Sequence, residues 1–257
     1  MALNGKIAIV TGAVGGIGKA MTEMLLQNGA KVALLDVKET EGKNLMEALE
    51  KVYGRERTLL HICDVESEEQ VKAAFQNTIE TFGGIDILCN NAANGNETAW
   101  EKTVSTNLVG VIRGTYLALE HMSKLSGGRG GVIVNTSSMA GVSPVLSFPV
   151  YTATKHGVVG FTRAMAAASA ASGYGIRVNV LCPGCVQTEI FSTSTTNLGP
   201  YSHLADETKQ LLEKRGVVTA SEVADCLLEL LTDETKNGEA LLVLPQGRKY
   251  MTFPSLI

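Results

Sequence analysis

The sequence predicts an α/β fold, a doubly wound parallel sheet of about seven strands with helices on both faces. Two observations predict it. Short aliphatic runs recur along the chain, apolar on both sides rather than alternating, and most are followed by a segment with the periodicity of an amphipathic helix. Just past the carboxyl ends of these runs sit glycine, aspartate, asparagine and serine residues, where open parallel sheets bind their ligands. A chain of 257 residues with 45% hydrophobic content is long enough for one large core, so a single domain over residues 1–257 is expected.

The first strand is Lys6 to Val10, followed by Thr11-Gly12-Ala13-Val14-Gly15-Gly16-Ile17-Gly18 and a helical pattern. Glycines at 12, 16 and 18 allow a tight turn, close approach to a pyrophosphate and helix–strand packing, with the helix N-terminus facing the phosphates. The second strand, Lys31 to Leu35, ends at Asp36, eighteen residues past Gly18. A carboxylate there accepts hydrogen bonds from the adenosine ribose and repels a 2′-phosphate, so NAD rather than NADP is the expected cofactor, with Lys38 near enough to soften the discrimination.

A helix over about 40–52 leads to a third strand, TLLHIC, ending at Cys63-Asp64-Val65, and Ser67 with Gln70 reads as a capping box opening the next helix. The fourth strand, IDILCN, delivers Asn90-Asn91-Ala92-Ala93. A long helix over about 98–125 holds Asn107, and the fifth strand, GVIVN, runs into Thr136, Ser137 and Ser138. From Pro149 to about 172 a further helix carries apolar residues at 150, 158, 159, 161 and 165, which puts Tyr151 and Lys155, four apart, on one face. The strand IRVNVL reaches Cys182-Pro183-Gly184-Cys185. Residues 189–215, of mixed polarity, read as a lid over a substrate, and the helix SEVADCLLELL and strand EALLVL close the sheet.

The pair on the Pro149 helix carries the chemistry. A phenol titrates near ~10 in water, but a fixed cation beside it stabilises the phenolate and turns it into a base. A serine hydroxyl thirteen residues upstream could hold a substrate oxygen beside that phenol, which makes a general acid/base site.

The motifs Thr11-Gly-x-x-x-Gly-x-Gly18, Asp64-Val65, Asn90-Asn91-Ala92, Asn107, Ser138, Tyr151-x-x-x-Lys155 and Pro183-Gly184 occur in that order over nearly the whole chain. Together they resemble the short-chain dehydrogenase/reductase family. The runs WEKT, GTYLALEHMSK, SSMAG, VYTATKHGVVGFTR and LCPGCVQTEI, with the N-terminal LNGK, are more narrowly similar to its prostaglandin-oxidising branch. The resemblance implies a Rossmann fold and the catalytic set Ser138, Tyr151, Lys155 and Asn107. Ser138 would hold the substrate oxygen, Tyr151 take its proton, Lys155 lower the phenol pKa and bind the nicotinamide ribose, and Asn107 hold a water leading from Lys155 to solvent.

The cofactor set so implied is Gly12, Gly16, Ile17, Gly18, Asp36, Val37, Cys63, Asp64, Val65, Asn91, Tyr151, Lys155, Pro183, Val186 and Thr188, with Asp64 and Val65 at the adenine and Val186 and Thr188 at the nicotinamide end. Where the family most often has glycine, this chain has Ala93. A homodimer built on the 98–125 and 149–172 helices is implied as well; independently, the small-residue run AMAAASAAS suits close packing against the sheet or a second subunit.

Pocket candidates Met139, Val142, Val145, Leu146, Phe148, Cys185, Ile190 and Phe191 are nearly all apolar and suit a lipophilic secondary alcohol. The substrate-binding set is Ser138, Phe148 and Tyr151. Prostaglandins or related hydroxy fatty acids come first, and steroids or retinoids second. Phe148 departs from the prostaglandin branch, which places a glutamine there to orient the substrate hydroxyl. A non-catalytic NAD-binding regulator is the reading from another class.

Other classes have little support. A net charge of −4 with no basic run disfavours nucleic acid. No apolar stretch reaches the ~18 residues of a membrane span, and no leader is evident, so a cytoplasmic protein is expected. Five cysteines make no disulfide framework, and Cys182-x-x-Cys185 coincides with the Pro-Gly turn rather than a redox motif. His61, His121, His156 and His203 show no metal-ligand spacing with them. The sequons at Asn96 and Asn135 carry no meaning in the cytosol.

Overall fold

Every residue of the first strand is buried, and successive residues enter different cores: Ala8 and Val10 face one side of the sheet, Ile9 the other. The same split recurs in the fifth strand, with Val132 and Val134 on one face and Ile133 on the opposite one. That is why the strands read as unbroken apolar runs. The structure is a computed structural model, which describes residues 1–187 and 196–254.

In chain order the sheet takes β1 (Ile7–Thr11), β2 (Lys31–Asp36), β3 (Thr58–Ile62), β4 (Ile87–Asn90), β5 (Gly131–Thr136), β6 (Ile176–Pro183), β9 (Ala240–Leu244) and β10 (Gly247–Tyr250). Two-residue strands β7 (Cys185–Val186) and β8 (Val217–Val218) pair apart from it. Spatial order is β10-β9-β6-β5-β4-β1-β2-β3. The neighbours are parallel except β10, which runs antiparallel to β9 in the register Gly247↔Leu244. This is one strand more than the sequence suggested. β10 reads GRKY, short, charged and mostly exposed, the composition of an edge that resists further pairing, and it shows no hydrophobic signal.

Helices α1 (Gly16–Gln27), α2 (Glu39–Tyr53) and α8 (Ala220–Thr232) pack Met21, Leu25, Leu45, Leu49 and Leu227 on one face. On the other face α3 (Glu68–Phe82), α5 (Gly110–Met122) and α6 (Pro149–Ser172) bring Phe75, Leu117, Ala118 and Met165. A short α7 (Ala205–Arg215) precedes β8. The long helix expected over 98–125 is α4 (Trp100–Val104), a π-helical turn (Ser105–Val109) and α5 in succession. Sequence periodicity does not reveal such a widened turn, and it carries Asn107, fully buried.

The capping box at Ser67 forms only by half. Ser67 Oγ accepts from the Gln70 N–H at 3.3 Å, while the Gln70 side chain accepts from the Asp64 N–H at 2.8 Å. A complete box stands at Thr219 and Glu222, opening α8. No described helix is long and apolar enough to cross a membrane.

The order of strands reverses between β1 and β4, so β1–α1–β2 winds one way and β4–α5–β5 the other. The crevice at that switch point, at the carboxyl ends of the strands, holds the site.

Candidate active site

The glycine loop is shaped by contact. Gly12 has φ +62°, and a Cβ there would lie 2.8 Å from the Ala92 Cα; a Cβ at Gly18 would lie 2.0 Å from the Gly12 carbonyl oxygen. Asn91 fixes the loop from β4, its amide donating to the Thr11 and Gly12 carbonyls at 3.2 and 3.3 Å. No side chain caps the start of α1, whose N-cap is Gly15, so the leading N–H groups stay available to an anion. Asp36, 8% exposed, accepts from the Val14 and Lys38 N–H groups at 3.0 and 3.1 Å, which holds its carboxylate beside the loop.

A cleft of about 640 Å³ runs along this edge. Of the residues expected at a cofactor, Gly12, Gly16, Ile17, Asp36, Val37, Cys63, Asp64, Val65, Asn91, Pro183 and Val186 line it, together with Ser138, Tyr151 and Lys155. Gly18 lies beneath, against Gly12. These features fit a dinucleotide: a glycine cradle with no room for a Cβ, an uncapped helix start, and a carboxylate at the end of β2 where a ribose would lie. Thr188, Ile190 and Phe191 fall outside the described residues.

At the far end of the cleft Lys155, 1% exposed, donates from Nζ to the Thr136 carbonyl at 2.9 Å and lies 5.5 Å from the Tyr151 ring centroid. Burial lowers Lys155 to about 8. Burial also pushes the Tyr151 phenol up, and a hydrogen bond with Ser138 opposes that rise. The sequence suggested a net fall driven by the lysine. Desolvation of the ring outweighs it here, because both groups lose water and the ammonium is engaged by Thr136.

The two adjacent serines separate cleanly. Ser137 Oγ is buried and donates to the Lys155 carbonyl at 2.8 Å, whereas Ser138 lines the cleft and meets the phenol. Asn107 does not line the cleft. Its amide accepts from the Asn94 N–H at 2.8 Å and donates to the Asn94 carbonyl at 2.8 Å and to Thr154 Oγ1 at 3.3 Å. The residue thus braces the loop after β4 against α6.

Among the pocket candidates, Met139, Val145, Phe148 and Cys185 line the cleft. Val142 packs into the core near β6 and β9, and Leu146 is 48% exposed. Phe148 stands edge-on to Tyr151, centroids 6.1 Å apart. Cys182 and Cys185 are free, and burial pushes Cys182 up to about 12, which leaves no reactive thiolate in this motif. No cluster suited to a metal ion exists among the described residues.

The family model for short chain dehydrogenase matches residues 6–199. The chain belongs to the short-chain dehydrogenase family. Among this dehydrogenase's relatives, the rat protein named 15-hydroxyprostaglandin dehydrogenase [NAD(+)] is 43% identical over 99% of this chain and 98% of its own length. The human protein of that name is 44% identical over 95% and 92%. A mitochondrial borneol dehydrogenase of Lavandula x intermedia is 34% identical over 94% and 90%. In structure the dehydrogenase is similar to a levodione reductase, with a TM-score of 0.81 at 29% identity over 94% of this chain and 97% of that one.

Two features of the site escaped the sequence. Glu97, 5% exposed, accepts from the Val150 and Tyr151 N–H groups at 3.1 and 2.9 Å, capping α6 from a distant loop. Asn90 and Asn135, at the ends of β4 and β5, are joined at 2.9 Å, and Asn135 continues to Thr162 of α6 at 2.9 Å. Two asparagines ending otherwise aliphatic strands were the available signal for the second. Nothing local marks Glu97, whose partners lie more than fifty positions away.

Proposed function

We propose that this chain is an NAD-dependent dehydrogenase that oxidises a secondary hydroxyl on a lipophilic substrate to the ketone, with the 15-hydroxyl of prostaglandins or of related hydroxy fatty acids as the first candidate. The observation that carries the reading is the meeting of Ser138, Tyr151 and Lys155 in one cleft, between a dinucleotide-shaped cradle and an apolar wall of Met139, Val145 and Phe148. The names of the rat and human relatives, which match over nearly the full length, support the substrate class.

NAD supplies the hydride acceptor when bound, held by the glycine loop, Asp36, Asn91 and Lys155. Ser138 hydrogen-bonds the substrate oxygen. Tyr151 takes the hydroxyl proton, and Ser138, already bonded to the phenol, stabilises the charge that develops there. Lys155 is anchored by Thr136 under the ring and supplies positive charge to the site. Of the lid expected over 189–215, residues 189–195 lie outside the described residues, and the part from 196 onward covers the cleft, with Leu212 on its wall.

A second reading, another hydrophobic alcohol, is favoured by Phe148, which offers no hydrogen bond to a substrate hydroxyl, and by the borneol dehydrogenase among the relatives. We place the subunits in a homodimer through α5 and α6. The outer face of α6 presents small residues, Gly160, Ala164, Ala167 and Ala168, all exposed, beside Tyr116, 53% exposed.

The test is NADH formation by purified protein with NAD and a panel of a 15-hydroxylated prostaglandin, a hydroxy fatty acid, a steroid alcohol and a retinoid, with NADP in parallel. Turnover of the prostaglandin or hydroxy fatty acid with NAD is expected. Turnover confined to another alcohol replaces the first reading by the second.

A further inference from the structure

The cleft wall carries charge unevenly. Asp36, Lys38, Asp64, Glu66 and Lys102 lie on the loops after β2 and β3 and on α4. Within that group Lys102 approaches Glu66 at 3.9 Å, and Thr106 donates to Glu66 at 2.9 Å. Around Met139, Val145, Phe148, Cys185 and Leu212 the lining is apolar, and among the described residues its one charged side chain apart from the buried Lys155 is Arg215.

Arg215 is held at this end by α7, which is tied down twice. Near its start Thr208, 5% exposed, donates to Ser147 at 2.8 Å, immediately before Phe148. Just past its end Val217 pairs with Cys185 in the β7–β8 ladder. The seven residues from Thr208 to Arg215 rise about 10 Å. The helix therefore lies from the Phe148 side of the cleft to the Cys185 side, with the guanidinium at its finish. Arg215 makes no ion pair or hydrogen bond among the described residues, although it is only partly exposed. A half-buried guanidinium left unmatched on an apolar wall suits an anionic group on an otherwise lipophilic ligand, and its planar fork matches a carboxylate with two parallel hydrogen bonds.

We infer that Arg215 is the carboxylate anchor of the substrate site, so that the preferred alcohol is a lipid acid rather than a neutral terpenoid, steroid or retinoid. The inference rests on the reading of a lipophilic alcohol as substrate and narrows it. Arg215 would act on specificity alone, leaving the hydroxyl chemistry to Ser138, Tyr151 and Lys155.

The test compares dodecanoate with methyl dodecanoate as ligands of the NAD-loaded protein by calorimetry, so that no turnover is required. A charge-assisted hydrogen bond at a partly exposed site predicts about tenfold tighter binding of the acid. Arg215→Gln should bring acid and ester to parity, Arg215→Lys should keep part of the preference, and NAD affinity should stay unchanged in both. Equal binding of acid and ester to the unaltered protein, or a preference that survives Arg215→Gln, overturns the anchor. Weakened NAD binding in Arg215→Gln with the acid preference intact also overturns it and assigns the guanidinium to a cofactor phosphate. Turnover of hydroxy acids is then measured separately: acid preference without any such turnover sinks the substrate reading while the anchor stands.

Discussion

At the scale of single residues, the decisive contrast is between Tyr151 and its neighbours. Burial holds the phenol protonated near neutrality, and a base must lose that proton, so the rate of alcohol oxidation should climb as pH rises from neutral. A kcat profile that is flat or falls over that range would contradict the assignment. Tyr151→Phe removes the acceptor and nothing from the glycine cradle; turnover should vanish while NAD still quenches protein fluorescence with near-native affinity. Phe148→Gln asks a different question. The change restores a donor and acceptor beside the phenol, and a neutral hydrogen bond of about 0.5–1.5 kcal/mol would raise prostaglandin kcat/KM several-fold to about tenfold. It also removes the edge-on contact with Tyr151, so the melting temperature should fall a little even as activity rises. An unchanged prostaglandin rate sinks the role given to position 148.

Among the elements, α6 matters most, since its first turn carries Tyr151 and its second Lys155. Pro149 at its first position suits a helix start, but no side chain of its own caps it, and the leading N–H groups go to Glu97 instead. Glu97 is in turn joined through its own N–H to the Asn197 carbonyl at 2.9 Å, at the base of the segment leading to α7. Glu97→Gln keeps the shape and loses the charge and one acceptor, so stability should drop by about 1–2 kcal/mol. Because the Tyr151 backbone N–H donates to this carboxylate, which fixes the turn that carries the phenol, kcat should drop more than KM rises, and Glu97→Asp should recover less of kcat than of the denaturation midpoint. Equal kcat in Glu97→Gln and the unaltered protein would make the residue a cap and nothing more. This element also shows what the sequence could and could not disclose. Helix α6 was readable to its end residues because Pro149 starts it, Gly173 stops it and its buried positions keep one period. The π-helical turn under Asn107 and the Glu97 cap were not, because both depend on contacts remote in sequence and leave the local pattern unaltered. β10 was missed for the opposite reason: an edge strand avoids apolar residues.

For the molecule as a whole, two properties follow from what is buried and what is left open. The exposed α5–α6 face, with Tyr116 packed at 6.4 Å on Phe161 and small residues along α6, needs about 800 Å² of partner surface to make a stable dimer. Light scattering at micromolar concentration should give twice the 27.2 kDa chain mass, and a monomer mass would remove the dimer. The second property is alkaline stability. Burial pushes Cys63 up to about 11 and Cys89 and Cys182 up to about 12, while in the unfolded chain a thiol ionises near ~8.5. Above the unfolded value the unfolded state holds fewer protons than the folded one, so each thiol's contribution is lost as pH climbs toward its folded pKa. Lys155 works the other way. Its folded pKa of about 8 lies below the unfolded ~10.4, so stability is gained between those two values. One lysine offsets the thiols at the start of this range, but three thiols outweigh it further up. The urea midpoint should therefore hold nearly level to about pH 8 and fall beyond it. Cys89→Ala should make that fall shallower than in the unaltered protein; a midpoint indifferent to alkali in both would mean that these thiols reach solvent in the folded state.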